Sequence, residues 1–245
     1  MLKAKCGKKK VVLELGGNAG VIVEPDADIE FAAQRCAIGG FGYAGQTCIS
    51  VQRIFVHHSI ADLFTTKFLL QVARLKAGDP SDDSTVVGPL INPAATHRLE
   101  SWIGEAVSQG ARVLLGGKRM GSVMEATVLS HVTPTMKVSC REVFGPVVTV
   151  TPYRHFGEAI AALNQSDYGL HAGIFTQDVN KIFHAFRHLE VGAVLANEIP
   201  TFRAEHMPYG GVKDSGVGRE GVQAAIEDMT EPRMLVLNLK PPAGT

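Results

Sequence analysis

The chain has few cysteines, and their arrangement excludes two common uses of this residue. Its 245 residues include four cysteines, at positions 6, 36, 48 and 140. They form no Cys-x-x-Cys pair and have no histidine at a metal-ligand spacing, which argues against a zinc site or a redox dithiol. We therefore expect no metal ion. Scattered thiols in a chain of this size are typical of a reducing compartment, so we expect a cytoplasmic protein.

The chain also lacks an excess of charge of either sign and any long apolar run. Lysine plus arginine and aspartate plus glutamate each number 24, which gives a formal net charge of zero and no basic field to attract nucleic acid or an anionic membrane. No apolar run reaches the roughly 20 residues of a membrane span, and the first residues lead to no signal-peptide core. We expect neither nucleic acid nor membrane as a partner.

What the chain does contain is an alternation of strand-like and helix-like segments. Hydrophobic residues make up 45% and charged residues 20%, as in an ordinary globular protein. Short β-type runs lie at 11–15, 21–23, 53–57, 113–115, 147–150 and 193–195. Helical periodicity or helix-start signals lie at 29–38, 61–75, 93–109, 156–164 and 179–189. This alternation predicts an α/β fold with a mostly parallel, twisted sheet and flanking helices.

A last apolar run near the end of the chain predicts a further strand. It covers 234–239 and precedes a Pro-Pro-Ala-Gly-Thr tail. An unpaired apolar strand tends to pair with another chain, so we expect association.

Two residues are candidates for covalent catalysis. Cys48 is a candidate nucleophile, and Glu14 is a carboxylate able to activate water. Glu14 lies in a run otherwise suited to a buried strand, where an unpaired carboxylate is strongly disfavoured. A carboxylate at a strand end, pointing into a cleft, is the less costly arrangement.

Four sequence blocks together resemble the aldehyde dehydrogenase superfamily, in its hydrolytic, NAD(P)-dependent branch. They are Leu-Glu-Leu-Gly-Gly-Asn at 13–18, Gly-Gln-Thr-Cys-Ile-Ser at 45–50, Glu-Val-Phe-Gly-Pro-Val at 142–147 and Pro-Tyr-Gly-Gly-Val-Lys-Asp-Ser-Gly at 208–216. The resemblance extends from about 11 to about 238. It implies the catalytic domain of that family with a C-terminal oligomerisation strand.

The resemblance implies a mechanism and roles for the two candidate catalytic residues. The thiol of Cys48 attacks the aldehyde to give a thiohemiacetal, hydride passes to NAD or NADP, and a thioester remains. The Cys48 backbone N–H contributes to stabilising the oxyanion. Glu14 acts as the general base that activates water to hydrolyse the thioester. Because the coenzyme A-dependent branch lacks this glutamate, its presence favours a carboxylic acid as product.

The resemblance also implies residues that contact the cofactor. Glu142 is expected to meet the hydroxyls of the nicotinamide ribose, and Phe144 to lie beside the nicotinamide. Gly16 permits a tight backbone near the catalytic groups. Glu220 matches a glutamate proposed in some members to relay protons, and a structural ion pair is the alternative.

Three residues bear on the substrate. Thr47 stands where members acting on glyceraldehyde 3-phosphate, and some acting on other anionic aldehydes, carry arginine, which argues against a phosphorylated aldehyde. Arg203 and His206 are candidates to meet an acidic tail on the substrate. This acid-binding role is a hypothesis that the resemblance leaves open.

Family members are about twice this length and place most of their dinucleotide-binding domain before the first block. We therefore expect 1–15 to be the residual end of a cofactor-binding domain, 16–230 the catalytic domain, and 231–245 a strand and tail for subunit contact. The expected partners are an aldehyde, a second copy of the chain and the missing N-terminal cofactor domain.

A chain with this organisation should keep a reactive Cys48 but bind NAD weakly and turn over little aldehyde. Two alternatives remain open. One is a non-catalytic, self-associating fragment, and the other is an esterase that uses Cys48 and Glu14 without a dinucleotide.

Overall fold

The computed structural model describes residues 2–239. The helices are α1 (Leu2–Lys5), α2 (Ile29–Phe41), α3 (Ala61–Val72), α4 (Pro93–Ser108), α5 (Lys137–Cys140), α6 (Phe156–Asn164), α7 (Val179–His188) and α8 (Val222–Met229). The strands are β1 (Leu13–Glu14), β2 (Ala19–Val23), β3 (Val51–His57), β4 (Lys76–Ala77), β5 (Thr85–Val87), β6 (Arg112–Leu115), β7 (Arg119–Met120), β8 (Val123–Met124), β9 (Thr127–Ser130), β10 (Val147–Tyr153), β11 (Tyr168–Gly169), β12 (His171–Phe175), β13 (Ala193–Ala196), β14 (Val212–Lys213) and β15 (Gly216–Val217).

The main sheet has seven strands in the order β13-β12-β2-β3-β10-β9-β6. Every pairing is parallel except that of the edge strand β6 with β9. All five residues of β2 are buried, as expected for a parallel strand covered by helices on both faces. The predicted α/β fold with a mostly parallel sheet and flanking helices is confirmed.

Two apolar cores lie on the sheet, one of them beneath α2 and α3. There, Phe41, Phe64 and Phe68 are fully buried, and the rings of Phe64 and Phe68 stack with centroids 5.8 Å apart. The second core includes Ile22 and Phe55 together with residues of α6 and α7. The sheet is therefore packed on both sides.

The sheet brings the first two sequence blocks together. β2 and β3 run parallel with Ala19 opposite Val51, so the segments that enter these strands meet at the same edge. The first segment contains the residues of 15–18, and the second those of 45–50. Because parallel strands present their amino ends together, Gly17 and Cys48 become neighbours although 31 positions separate them in the sequence.

The predicted elements differ from the structure in several places. The predicted strand at 11–15 shortens to β1, which pairs antiparallel with β15. The strands β9 and β12 and the helix α8 were not predicted.

The strand predicted at 234–239 does not form, since residues 230–239 contain no helix or strand. Met234 and Leu235 in this segment are exposed, with 86% and 79% of their surface accessible. A strand needs a hydrogen-bonding neighbour, and this segment has none within the described chain. The rest of the predicted tail, 240–245, and Met1 of the predicted 1–15 segment lie outside the described residues. No helix within 2–239 has the length and apolarity needed to cross a membrane.

Candidate active site

A turn whose residues have left-handed backbone conformation places Cys48 at the edge of the sheet. After α2 ends at Phe41, the next residues include three in succession with positive φ, namely Tyr43 (53°), Ala44 (54°) and Gly45 (67°). A Cβ built on Gly45 would lie 2.2 Å from the carbonyl oxygen of Gly145, a distance no real side chain could keep. Glycine at 45 therefore allows the nucleophile loop to rest directly on the 142–147 block.

The Cys48 side chain is partly buried and has one hydrogen-bond partner among residues 2–239. Its Sγ lies 3.0 Å from the hydroxyl of Tyr209. The Cys48 carbonyl packs on Gly17, where an added Cβ would come within 1.9 Å of the oxygen. Within residues 2–239 the Cys48 backbone N–H makes no hydrogen bond, so it remains available as a donor.

Glu14 lies at the end of β1, opposite Gly216 of β15. Both of its carboxylate oxygens are buried, and within the described residues neither has a hydrogen-bond partner. Burial raises the pKa of this carboxyl, the nearby Glu220 raises it further, and Arg219 and Arg203 partly offset the increase. A buried carboxylate without a partner is costly to keep, and such groups cluster at functional sites.

Glu14 belongs to the same corner of the molecule as Tyr209. A Cβ built on Gly210 would lie 3.0 Å from Glu14 Oε1, and Gly210 directly follows Tyr209. The structure thus gathers Cys48 and Glu14 around one short segment from the last sequence block.

A charged pair covers the same segment. The Arg203 guanidinium lies 3.1 Å from Glu220 Oε2 and 4.4 Å from the centre of the Tyr209 ring. Tyr209 and Glu220 exchange two backbone hydrogen bonds, of 3.0 and 2.6 Å. Glu220 therefore does form an ion pair, the alternative to a proton relay, and its relay role stays a prediction.

The residues predicted for the cofactor lie on the other side of Gly17. The Gly17 N–H donates to Glu142 Oε1 at 2.8 Å, and a Cβ on Gly16 would meet Glu142 Oε2 at 2.7 Å. Burial raises the pKa of the Glu142 carboxyl. Phe144 adopts a positive φ of 47° and leaves 39% of its surface exposed. A held carboxylate and an exposed aromatic ring beside the nucleophile loop fit the ribose and ring of a dinucleotide.

Two of the three residues predicted for the substrate line separate cavities. Thr47 lines an open cavity of about 600 Å³ together with Tyr43 and Gln46. His206 lines a separate cavity of about 300 Å³ with Arg219 and Glu220. Of the pair proposed to meet an acidic tail, Arg203 is the one that packs against Tyr209 and hence borders the nucleophile.

Sequence reasoning missed Tyr209 and His171 as parts of this site. Tyr209 is 161 positions from Cys48, so no local spacing could reveal the contact. His171 begins β12, and its ring meets the Tyr209 ring edge-on with centroids 5.0 Å apart. Within residues 2–239, no group of three or more His, Cys, Asp and Glu side chains is placed to hold a metal ion.

The fold and site define a class: an α/β domain with a thiol at a sheet edge, an unpaired buried carboxylate and a held glutamate beside an exposed aromatic ring. The model of the aldehyde dehydrogenase family matches residues 1–235. The chain belongs to the aldehyde dehydrogenase family.

Similar proteins have names that specify individual aldehydes. The chain is 47% identical to a 3-sulfolactaldehyde dehydrogenase of Priestia aryabhattai over 239 residues, covering 98% of this chain and 50% of the relative. It is 41% identical to a lactaldehyde dehydrogenase of Methanococcus aeolicus, covering 96% of this chain and 50% of the relative. The chain spans about half the length of these relatives.

Solved structures of related enzymes share the fold. Aldehyde dehydrogenase 21 from Physcomitrella patens, in complex with its reaction product succinate, matches with a TM-score of 0.94 and 45% identity over all of this chain and 50% of that one. The glyceraldehyde-3-phosphate dehydrogenase GapN from Methanocaldococcus jannaschii, complexed with NADP, matches with a TM-score of 0.90 and 42% identity over 93% of this chain and 50% of that one.

Proposed function

We propose that this chain carries the catalytic half of an NAD(P)-dependent dehydrogenase that oxidises an aldehyde to a carboxylic acid. The observation that supports this most is the arrangement of the Cys48 thiol and the unpaired, buried Glu14 carboxyl around the segment at 209–210. A thiol alone is common, but a nucleophile beside a carboxyl with a raised pKa is the pair that acyl chemistry requires.

The reaction begins with attack of the Cys48 sulfur on the carbonyl carbon of the aldehyde. The oxygen gains negative charge, and the backbone N–H of Cys48 is available to donate to it. Glu142 and Phe144 are the residues of this chain that would hold the ribose and the nicotinamide of NAD or NADP, and the bound cofactor would accept the hydride. A thioester then joins the acyl group to Cys48.

Hydrolysis of that thioester falls to Glu14. Its carboxylate takes a proton from water, the oxygen of that water attacks the acyl carbon, and the Cys48 thiolate leaves. The raised pKa of the Glu14 carboxyl makes it a stronger base than an ordinary glutamate once it is ionised. The product is a free carboxylic acid.

The substrate class we propose is an aldehyde with an acidic tail. Arg203 packs on the ring of Tyr209, whose hydroxyl contacts the nucleophile, and its ion pair with Glu220 keeps the guanidinium in place. Relatives named for sulfolactaldehyde and a neighbour holding succinate are consistent with this class. Thr47, rather than arginine, argues against a phosphorylated aldehyde.

We also propose that 16–230 form the catalytic domain, that 1–15 belong to a cofactor-binding domain, and that 231–245 contact a second subunit. Met234, Leu235 and Leu237 are exposed and apolar, and a neighbouring strand would cover them. Replacing Leu235 and Leu237 with lysine should lower the molecular mass measured by light scattering, and an unchanged mass would count against the contact.

The test of the chemistry uses the purified chain and iodoacetamide. Cys48 should react faster than Cys6 and Cys140, and an activated ester should be hydrolysed by the wild type but not by Cys48→Ala or Glu14→Gln. Calorimetry with NAD and NADP then measures whether this half of the protein binds the cofactor. Equal reactivity of the three thiols would favour the non-catalytic alternative, whereas hydrolysis without any dinucleotide binding would favour the esterase.

The acid-binding role of Arg203 is tested by protection of Cys48 from alkylation. Succinate semialdehyde should protect more strongly than the neutral aldehyde butanal, and Arg203→Ala should remove the difference. Arg141, whose side chain is 61% exposed in its 4.0 Å ion pair with Asp167, gives a matched control, Arg141→Ala. Equal protection by both aldehydes in the wild type would show that no acidic tail is recognised.

A further inference from the structure

We propose that Tyr209 is a further catalytic residue, whose hydroxyl donates a hydrogen bond to the Cys48 thiolate and so stabilises the nucleophilic sulfur. This inference rests on the proposed role of Cys48. It adds a residue that the resemblance to the family did not assign.

The direction of the hydrogen bond follows from the surroundings of the phenol. Burial raises the pKa of Tyr209, and the Cys48 and Glu14 groups beside it raise it further, so the hydroxyl keeps its proton. A thiolate has no proton to give and can only accept. At 3.0 Å, the O–H of Tyr209 therefore donates to Sγ whenever the sulfur is ionised.

The Tyr209 ring is fixed from several sides, so its hydroxyl is held in place. The residue is 5% exposed, Arg203 lies over one face of the ring, and His171 meets it edge-on at 72°. Two backbone hydrogen bonds tie Tyr209 to Glu220. A donor held in this way loses little conformational freedom when the thiolate forms, and preorganised donors stabilise charge most effectively.

The nearest imidazole does not supply a positive charge instead. His171 Nδ1 lies 2.8 Å from the carbonyl oxygen of Pro200, which can only accept, so Nδ1 carries the hydrogen. Burial lowers the pKa of His171, which leaves the ring neutral. Its Nε2 is buried and, in the described chain, unpartnered.

The remaining charges that face this segment oppose one another. Arg203 and Arg219 are cationic, Arg203 is already paired with Glu220, and the carboxyl of Glu14 has a raised pKa. Tyr209 is therefore the group that contacts Sγ directly, and the others modulate the field around it.

The experiment measures alkylation of Cys48 by iodoacetamide in the purified chain between about pH 6 and about pH 9, across the range where thiols ionise. In this reaction the sulfur forms a bond to carbon and iodide leaves. Tyr209→Phe should slow alkylation near neutral pH about tenfold and move the rate profile to higher pH by about one unit, because a hydrogen bond to a charged group is lost. At high pH the two rates should converge.

A merely structural role for Tyr209 would change the rate by the same factor at every pH. Tyr153→Phe provides the matched control, since it removes a buried phenol hydroxyl that hydrogen-bonds Glu24 and the Val23 carbonyl rather than Cys48. The fully buried Cys36 reports on folding, because it reacts only when the chain opens. Incorporating 3-fluorotyrosine at position 209 makes the hydroxyl a stronger donor and should speed alkylation of Cys48 at low pH.

The outcomes separate this inference from the proposed function. If Cys48 of the wild type is no more reactive than Cys140, the proposed function fails whatever Tyr209 does. If Cys48 is selectively reactive but Tyr209→Phe leaves the rate and its pH profile unchanged, or speeds the reaction, the inference about Tyr209 is wrong. The inference is supported if Tyr209→Phe moves the rate profile to higher pH and 3-fluorotyrosine at position 209 speeds alkylation at low pH.

Discussion

Replacing Gly45 with alanine should both destabilise the fold and displace the nucleophile loop. An alanine at φ 67° costs about 1–2 kcal/mol because its Cβ is too close to the following carbonyl. The new Cβ would also lie 2.2 Å from Gly145 O, 2.5 Å from Gly145 C and 3.0 Å from Pro146 N. Ordinary contacts are about 3.5 Å or longer, so the backbones must separate by roughly 1 Å.

Overpacking of this kind costs about 1–3 kcal/mol, so the free energy of unfolding should fall by about 3 kcal/mol in total. The matched control is Gly121→Ala. Gly121 has nearly the same φ, 62°, but nothing lies within 4 Å of a Cβ built on it. This control carries the conformational cost without the collision, and it should lose only about 1 kcal/mol.

Urea unfolding of the two variants measures the difference, and iodoacetamide labelling reports on the site. Gly45→Ala should also lower the alkylation rate of Cys48, since Cys48 lies three residues further along the same loop, whereas Gly121→Ala should leave that rate unchanged. If both variants lose the same stability, the contact between the loop and the 142–147 block does not constrain the fold, and the reasoning is refuted.

Two further predictions concern buried carboxyls. The pKa of Glu14 is raised above its unfolded value of 4.5, so the folded chain binds more protons than the unfolded chain between the two pKa values. The stability of the wild type therefore falls as pH rises through the folded pKa. Glu14→Gln should remove this fall, so in thermal unfolding the variant should gain stability relative to the wild type as pH rises. Glu24 is 2% exposed and is bound by Lys181 and by the hydroxyl of Tyr153, so Lys181→Met should lower the free energy of unfolding in urea by about 2 kcal/mol. The control Lys67→Met breaks an exposed ion pair and should cost less than about 1 kcal/mol. Equal losses would show that burial does not strengthen the Glu24 pair.

The sequence predicted five of the seven strands of the main sheet and most helices, because burial gives these segments clear apolar patterns, but it did not predict β9 and β12. It could not predict where α2 ends, since Gly39 and Gly40 usually interrupt helices. Here both glycines are helical, and the absence of a side chain leaves room for their neighbours, since an added Cβ would lie 2.8 Å from Ile199 at position 39 and 2.6 Å from Val148 at position 40. Their lack of a side chain allows the helix to pack closely on its neighbours, and only the packed structure reveals that. The 234–239 segment does not form a strand for a related reason, since within the described residues no neighbouring strand pairs with it.

The candidate site also has residues that the sequence could predict and one that only the folded structure reveals. Cys48 and Glu14 were predictable because each lies in a distinctive local run, but Tyr209 was not, because its contact with Cys48 depends on the last block folding back over the sheet edge. That fold-back also sets the electrostatics of the site. It brings Glu220 close enough to raise the pKa of Glu14 and Arg203 close enough to lower it. Residues within 203–220 therefore set the pKa of the Glu14 carboxyl and contact the Cys48 sulfur, so substitutions in this segment should change the reactivity of Cys48 even where they leave Cys48 and Glu14 untouched.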